Sequence, residues 1–159
     1  MNITSDFVRT TEGRLFFRST GRGDPVVLLH GGSGRGEWFD TLLPLLPASL
    51  KLIVVDLPGH GRSPRLAQYD LETMTSIMGE FIESVCERPA VLFGHSFGGH
   101  LALSLASRLP KLCRAVILGD VPLKLERLKD HTVRNATMLV AWRSLSASGK
   151  AAEELLDAI

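Results

Sequence analysis

Residues 91–100 read VLFGHSFGGH, in which Gly94, Ser96 and Gly98 spell GxSxG. The motif sits where one pattern gives way to another. Upstream, residues 90–94 form an apolar run too short for a helix; downstream, residues 97–108 have helical spacing and stop before Pro110. A serine on so sharp a strand-to-helix turn must take a strained backbone conformation. The residues two before and two after it pass close together and must be small, which glycine at both places satisfies. Such a turn exposes the Ser96 hydroxyl at the carboxyl end of a sheet and at a helix N-terminus, whose dipole favours developing negative charge. The next backbone amide, that of Phe97, then points at the reacting oxygen. With glycine at roughly 7% of residues, GxSxG arises by chance in about one chain of this length in twenty. The flanking strand and helix patterns therefore carry the reading of Ser96 as a nucleophile.

Working outward, three more short apolar runs occupy residues 25–30, 51–57 and 114–120. Strands without a polar face belong in a parallel sheet covered by helices on both sides, and helical patterns do lie between these runs. The clearest spans residues 70–87, where Leu71, Met74, Ile77, Met78, Phe81, Ile82 and Val85 make one apolar face and Asp70 is placed to cap it. That stripe reads as core. A weaker helical pattern covers roughly residues 38–46. Before all of these, alternating segments at residues 7–11 and 14–20 flank Glu12-Gly13 and predict a hairpin at a sheet edge. The expected fold class is α/β, a mostly parallel, doubly wound sheet with an N-terminal hairpin.

Composition narrows the function classes. In 159 residues, 45% hydrophobic and 22% charged, there is enough apolar content for one globular core. The net charge of +1 comes from mixed acids and bases, so no basic stripe points to nucleic acid or a membrane surface. A small-molecule substrate is the expected partner. Cys86 and Cys113 form no CxxC pair and have no metal-ligand spacing, and each reads as a small buried hydrophobe. Neither a leader pattern at MNITSDFVRT nor a run of about 18 apolar residues is present, so the expected compartment is the cytoplasm.

Two further loops carry chemistry. LLHGGSGRG closes the run at residues 25–30, and Gly31, Gly32, Gly34 and Gly36 let its backbone turn sharply toward the site. Its expected role is to supply a second oxyanion donor, the Gly32 amide. A phosphate cradle is the alternative, but neither GxxxxGK[ST] nor GxGxxG occurs. VVDLPGHGRS follows the next strand, and there Asp56 and His60 invite completion of a triad. A histidine flanked by glycines in a turn more often marks a tight loop with a structural side chain. His30 and His95 adjoin the two turns too closely in sequence to reach over Ser96, His100 lies one turn into the following helix, and His131 falls in the later helical stretch. None has a claim to be the base.

LHGGSG, DLPGHGRS and GHSFGG, in this order and spacing, resemble the α/β-hydrolase superfamily, close to its esterase, haloperoxidase-like and carbon–carbon bond hydrolase members. The resemblance covers about residues 7–122. It implies the α/β-hydrolase fold and a cofactor-free enzyme with Ser96 as nucleophile and the Gly32 and Phe97 amides as oxyanion hole. Serine at position 96 argues against the haloalkane dehalogenase and epoxide hydrolase branches, which use aspartate there. In the family the catalytic acid and histidine follow later strands, in chain order serine, acid, histidine. This sequence ends before either, and Asp120, where some relatives carry their acid, reads as an ordinary strand-end aspartate.

The expected organisation is a core over residues 1–121, truncated after the sixth strand, and a partial helical cap over 122–159. The expected function is a serine hydrolase acting on a small ester or related acyl or carbonyl substrate, incomplete as it stands. The alternative is a non-catalytic interaction protein that keeps the fold. The last apolar run leaves an unpaired strand edge, so self-association through it is expected.

Overall fold

The computed structural model describes residues 2–121. Its six strands are β1 (Thr4–Thr10), β2 (Gly13–Thr20), β3 (Asp24–Leu29), β4 (Leu50–Val55), β5 (Ala90–His95) and β6 (Cys113–Gly119), with helices α1 (Leu71–Val85) and α2 (Phe97–Arg108). They form one sheet in the order β1-β2-β4-β3-β5-β6. β1 and β2 make the expected antiparallel hairpin, β2 pairs antiparallel with β4, and the rest is parallel.

The central strands are apolar throughout because each serves two cores. Side chains alternate across a strand, so Val27 and Leu29 of β3 join Ile53 and Val55 of β4 beneath α1 and α2. Val26 and Leu28 join Leu52 and Val54 on the opposite face, against Phe39 and Leu43. Of the α1 stripe, Met74, Ile77, Met78, Phe81 and Ile82 are fully buried, each contributing about 2 kcal/mol. Leu71 at the helix start is exposed. Asp70 caps α1, its carboxylate accepting from the Thr73 amide at 2.8 Å.

Three expectations change. The helix predicted over residues 38–46 is instead two 3-10 turns, Gly36–Phe39 and Leu43–Leu45. Pro44 explains this, since a proline inside an α-helix loses its amide bond and collides with the preceding turn. β6 has exposed positions, with Ile117 half exposed, because it is the last strand of the sheet among the described residues. Cys86 and Cys113 are free and half-buried rather than buried; burial pushes the Cys86 thiol up to about 11. The cap expected over residues 122–159 lies outside the described residues. Among those described, no helix is long and apolar enough to cross a membrane.

The order of strands places the site. The chain passes from β3 to β4 on one side, then returns across β3 to add β5 on the other. The loops leaving β3 and β5 therefore face each other at the carboxyl end of the sheet, where α/β folds form their binding crevice.

Candidate active site

Ser96 occupies the turn between β5 and α2 with φ 49° and ψ −115°. This left-handed conformation is strained for a residue with a side chain, and strain of this kind concentrates at functional sites. What holds it is close backbone packing. A Cβ on Gly94 would overlap the carbonyl of Gly98, and one on Gly98 would overlap the Leu29 carbonyl and lie 2.7 Å from His30 O. Any side chain at either place would push the turn apart. The Ser96 amide donates to Gly119 O at 3.0 Å, tying the turn to the end of β6.

The loop after β3 abuts this turn. A Cβ on Gly31 would come within 3.4 Å of Ser96 Cβ, and one on Gly32 within 3.8 Å of Phe97 Cβ. The structure thus brings together Ser96, Phe97 and Gly32, the three residues singled out by the sequence. Phe97 opens α2, so its amide has no partner within the helix. Trp38 leans over the same region with its ring centroid 5.7 Å from that of His95, and more than half of it is exposed.

The histidines divide into two groups. His30 is fully buried and both its nitrogens are engaged: Nδ1 donates to Gly31 O at 2.8 Å, while Nε2 accepts from the Leu57 amide at 3.0 Å. That pattern defines a neutral ring with its proton on Nδ1. Burial lowers its pKa to about 4, against the opposing hydrogen bond to Gly31. His60 places Nε2 2.7 Å from Gly32 O and Nδ1 3.0 Å from Pro58 O, and its ring meets that of His30 edge-on. His95 Nδ1 and His100 Nε2 are buried without a partner among the described residues. No described side chain hydrogen-bonds the Ser96 hydroxyl, and His131 lies outside the described residues.

Asp56 is buried and serves the loops. Oδ1 accepts from the Gly36 amide at 2.7 Å and Oδ2 from the Arg62 amide at 2.8 Å. Sequence reasoning identified Asp56 and His60 as turn residues but missed their reach, since their partners lie 20 and 28 positions away. The signal available was the adjacency of β3 and β4, which places the loops that follow them side by side. Asp120, at the end of β6, is exposed and has φ 50°. Among the described residues no group of three or more His, Cys, Asp or Glu side chains could hold a metal ion.

A strained serine between strand and helix, with a glycine loop from the neighbouring strand against it, defines a class, and the comparisons agree. The profile of the alpha/beta hydrolase family matches residues 26–157, and the chain belongs to that family. It is similar to the pimeloyl-[acyl-carrier protein] methyl ester esterase of Methylococcus capsulatus, 41% identical over 96 residues, which are 60% of this chain and 36% of that protein. Among solved structures, the epoxide hydrolase CorEH superposes with a TM-score of 0.73 at 26% identity, over 78% of this chain and 44% of that one. The N-acyl homoserine lactonase AidH superposes with a TM-score of 0.72 at 28% identity, over 80% of this chain and 48% of that one. The chain spans less than half the length of the curated relatives it matches.

Proposed function

We propose that this chain carries the nucleophile and oxyanion half of a serine hydrolase acting on a small ester or related acyl substrate. The observation that carries the reading is Ser96 at φ 49° between β5 and α2, with the Gly31-Gly32 loop packed against it. In this reaction Ser96 Oγ bonds to the acyl carbon, and the carbonyl electron pair moves onto oxygen, where the Gly32 and Phe97 amides receive it. Collapse of the intermediate breaks the ester C–O bond and leaves an acyl-enzyme, which water then hydrolyses. The Ser96 proton passes to a base and from it to the leaving alcohol. His30 and His60 are occupied by loop backbone, so neither is that base. The similarity to the M. capsulatus esterase, 41% identical over 96 residues, supports a carboxylic ester as substrate.

The alternative, a non-catalytic protein that keeps the fold, is favoured by one observation: no described side chain hydrogen-bonds the Ser96 hydroxyl. A fluorophosphonate probe followed by peptide mapping separates the two. In the complete enzyme, with its base present, covalent labelling at Ser96, absent in Ser96→Ala, is the expected result. Labelling elsewhere, or none after prolonged exposure, would refute the nucleophile assignment.

A further inference from the structure

We propose that His30 and His60 together form a clamp that sets the direction of the oxyanion-loop amides, acting as positioning residues; this rests on the reading of Gly32 as an oxyanion donor. In a trans peptide the carbonyl and the amide point in opposite directions. Whatever holds the Gly31 carbonyl therefore aims the Gly32 amide, and whatever holds the Gly32 carbonyl aims that of Ser33. Each of these consecutive carbonyls accepts from a different histidine. Gly31 O receives His30 Nδ1 at 2.8 Å and the Gly34 amide at 3.0 Å. Gly32 O lies 2.7 Å from His60 Nε2, which donates to it when the ring proton is on Nε2.

The clamp matters because of what it grips. Residues 31–36 include four glycines, whose backbone has little intrinsic preference between peptide orientations. A loop this permissive would sample amide directions pointing away from Ser96. The histidines remove that freedom without adding bulk to the loop itself. Their own positions are fixed from β4: Leu57, just beyond that strand, donates to His30 Nε2 at 3.0 Å, which forces the ring proton to Nδ1 and onto Gly31 O. The two rings meet edge to face with centroids 5.0 Å apart, so a shift in one displaces the other. A carbonyl that accepts a hydrogen bond also makes the amide of the same peptide a better donor.

The test combines kinetics with a direct view of the protons. The rate of Ser96 labelling by a fluorophosphonate is compared in the unsubstituted chain, His60→Phe and His60→Gln, with Tm measured for each. Imidazole tautomers are read by nitrogen-15 NMR. The clamp predicts that His60→Phe, which frees the carbonyl of the same residue whose amide is the donor and disturbs the ring packed on His30, labels about tenfold more slowly, less than the loss expected for removing an oxyanion donor outright. His60→Gln, whose amide can still donate to Gly32 O, recovers much of the rate, and Tm is alike in both. Equal labelling in His60→Phe, or an equal loss in both variants that tracks Tm, would overturn the clamp while leaving Ser96 as nucleophile. If the unsubstituted chain is not labelled at Ser96, the functional reading falls and the NMR decides the clamp alone. Protons on His30 Nδ1 and His60 Nε2 support it, and a proton on His30 Nε2, or on His60 Nδ1 alone, overturns it.

Discussion

Acidification gives a sharp test of the buried His30. Its ring is fully buried, it accepts the Leu57 amide on Nε2, and burial lowers its pKa from the ordinary 6.5 to about 4. The direction follows from proton binding. Below pH 6.5 the unfolded chain protonates this histidine while the folded chain still refuses the proton, so stability falls as pH drops from about 6.5 to about 4 and this contribution then levels off. The full difference corresponds to about 3 kcal/mol, a large fraction of the stability of an ordinary domain. Urea unfolding at intervals from pH 7.5 to 4, on the unsubstituted chain and on His30→Asn, isolates it. The variant is less stable at neutral pH but lacks this titration, so its curve should be flatter by about 3 kcal/mol over the interval. Carboxylates remote from His30 contribute equally to both curves and cancel. Parallel curves, or an NMR titration of His30 near its ordinary value, would refute the reasoning.

Two more predictions concern the turn and its supporting loops. Gly98→Val puts a branched side chain against the carbonyls of Leu29 and His30; it should slow Ser96 labelling about a hundredfold through misplacement of the nucleophile, while helical circular dichroism is retained. Labelling at the normal rate would show that the turn is not constrained as described. Asp56→Ala leaves the Gly36 and Arg62 amides without their acceptor and should cost about 2–4 kcal/mol in urea unfolding. Asp56→Asn, which keeps one acceptor oxygen, should cost roughly half as much, and equal stability of all three chains would contradict the role assigned to this carboxylate.

Much of the fold was legible in the sequence because local rules dominate it. Strands buried on both faces must be apolar along their length, and the runs at residues 25–30, 51–57 and 90–94 declared themselves accordingly. The start of α2 at Phe97 was readable because GxSxG demands a turn there, and the cap at Asp70 because a short acidic side chain satisfies the first amides of a helix. The stretch at residues 38–46 misled because its apolar spacing suits a helix while Pro44 forbids the hydrogen bonds of one.

The placement of the site's supporting groups needed the tertiary structure. Spacing along the chain pointed to Ser96, Phe97 and Gly32 because backbone strain and glycine requirements are local. The roles of His30, His60 and Asp56 depend on which strands lie side by side. In the sequence, His60 and Asp56 belong to one turn and Gly32 and Gly36 to another; only the parallel pairing of β3 with β4 brings those loops within hydrogen-bond reach. Pairing is a contest among all strands of the sheet, decided by the burial of both faces at once, and a pattern read along one segment does not carry that outcome.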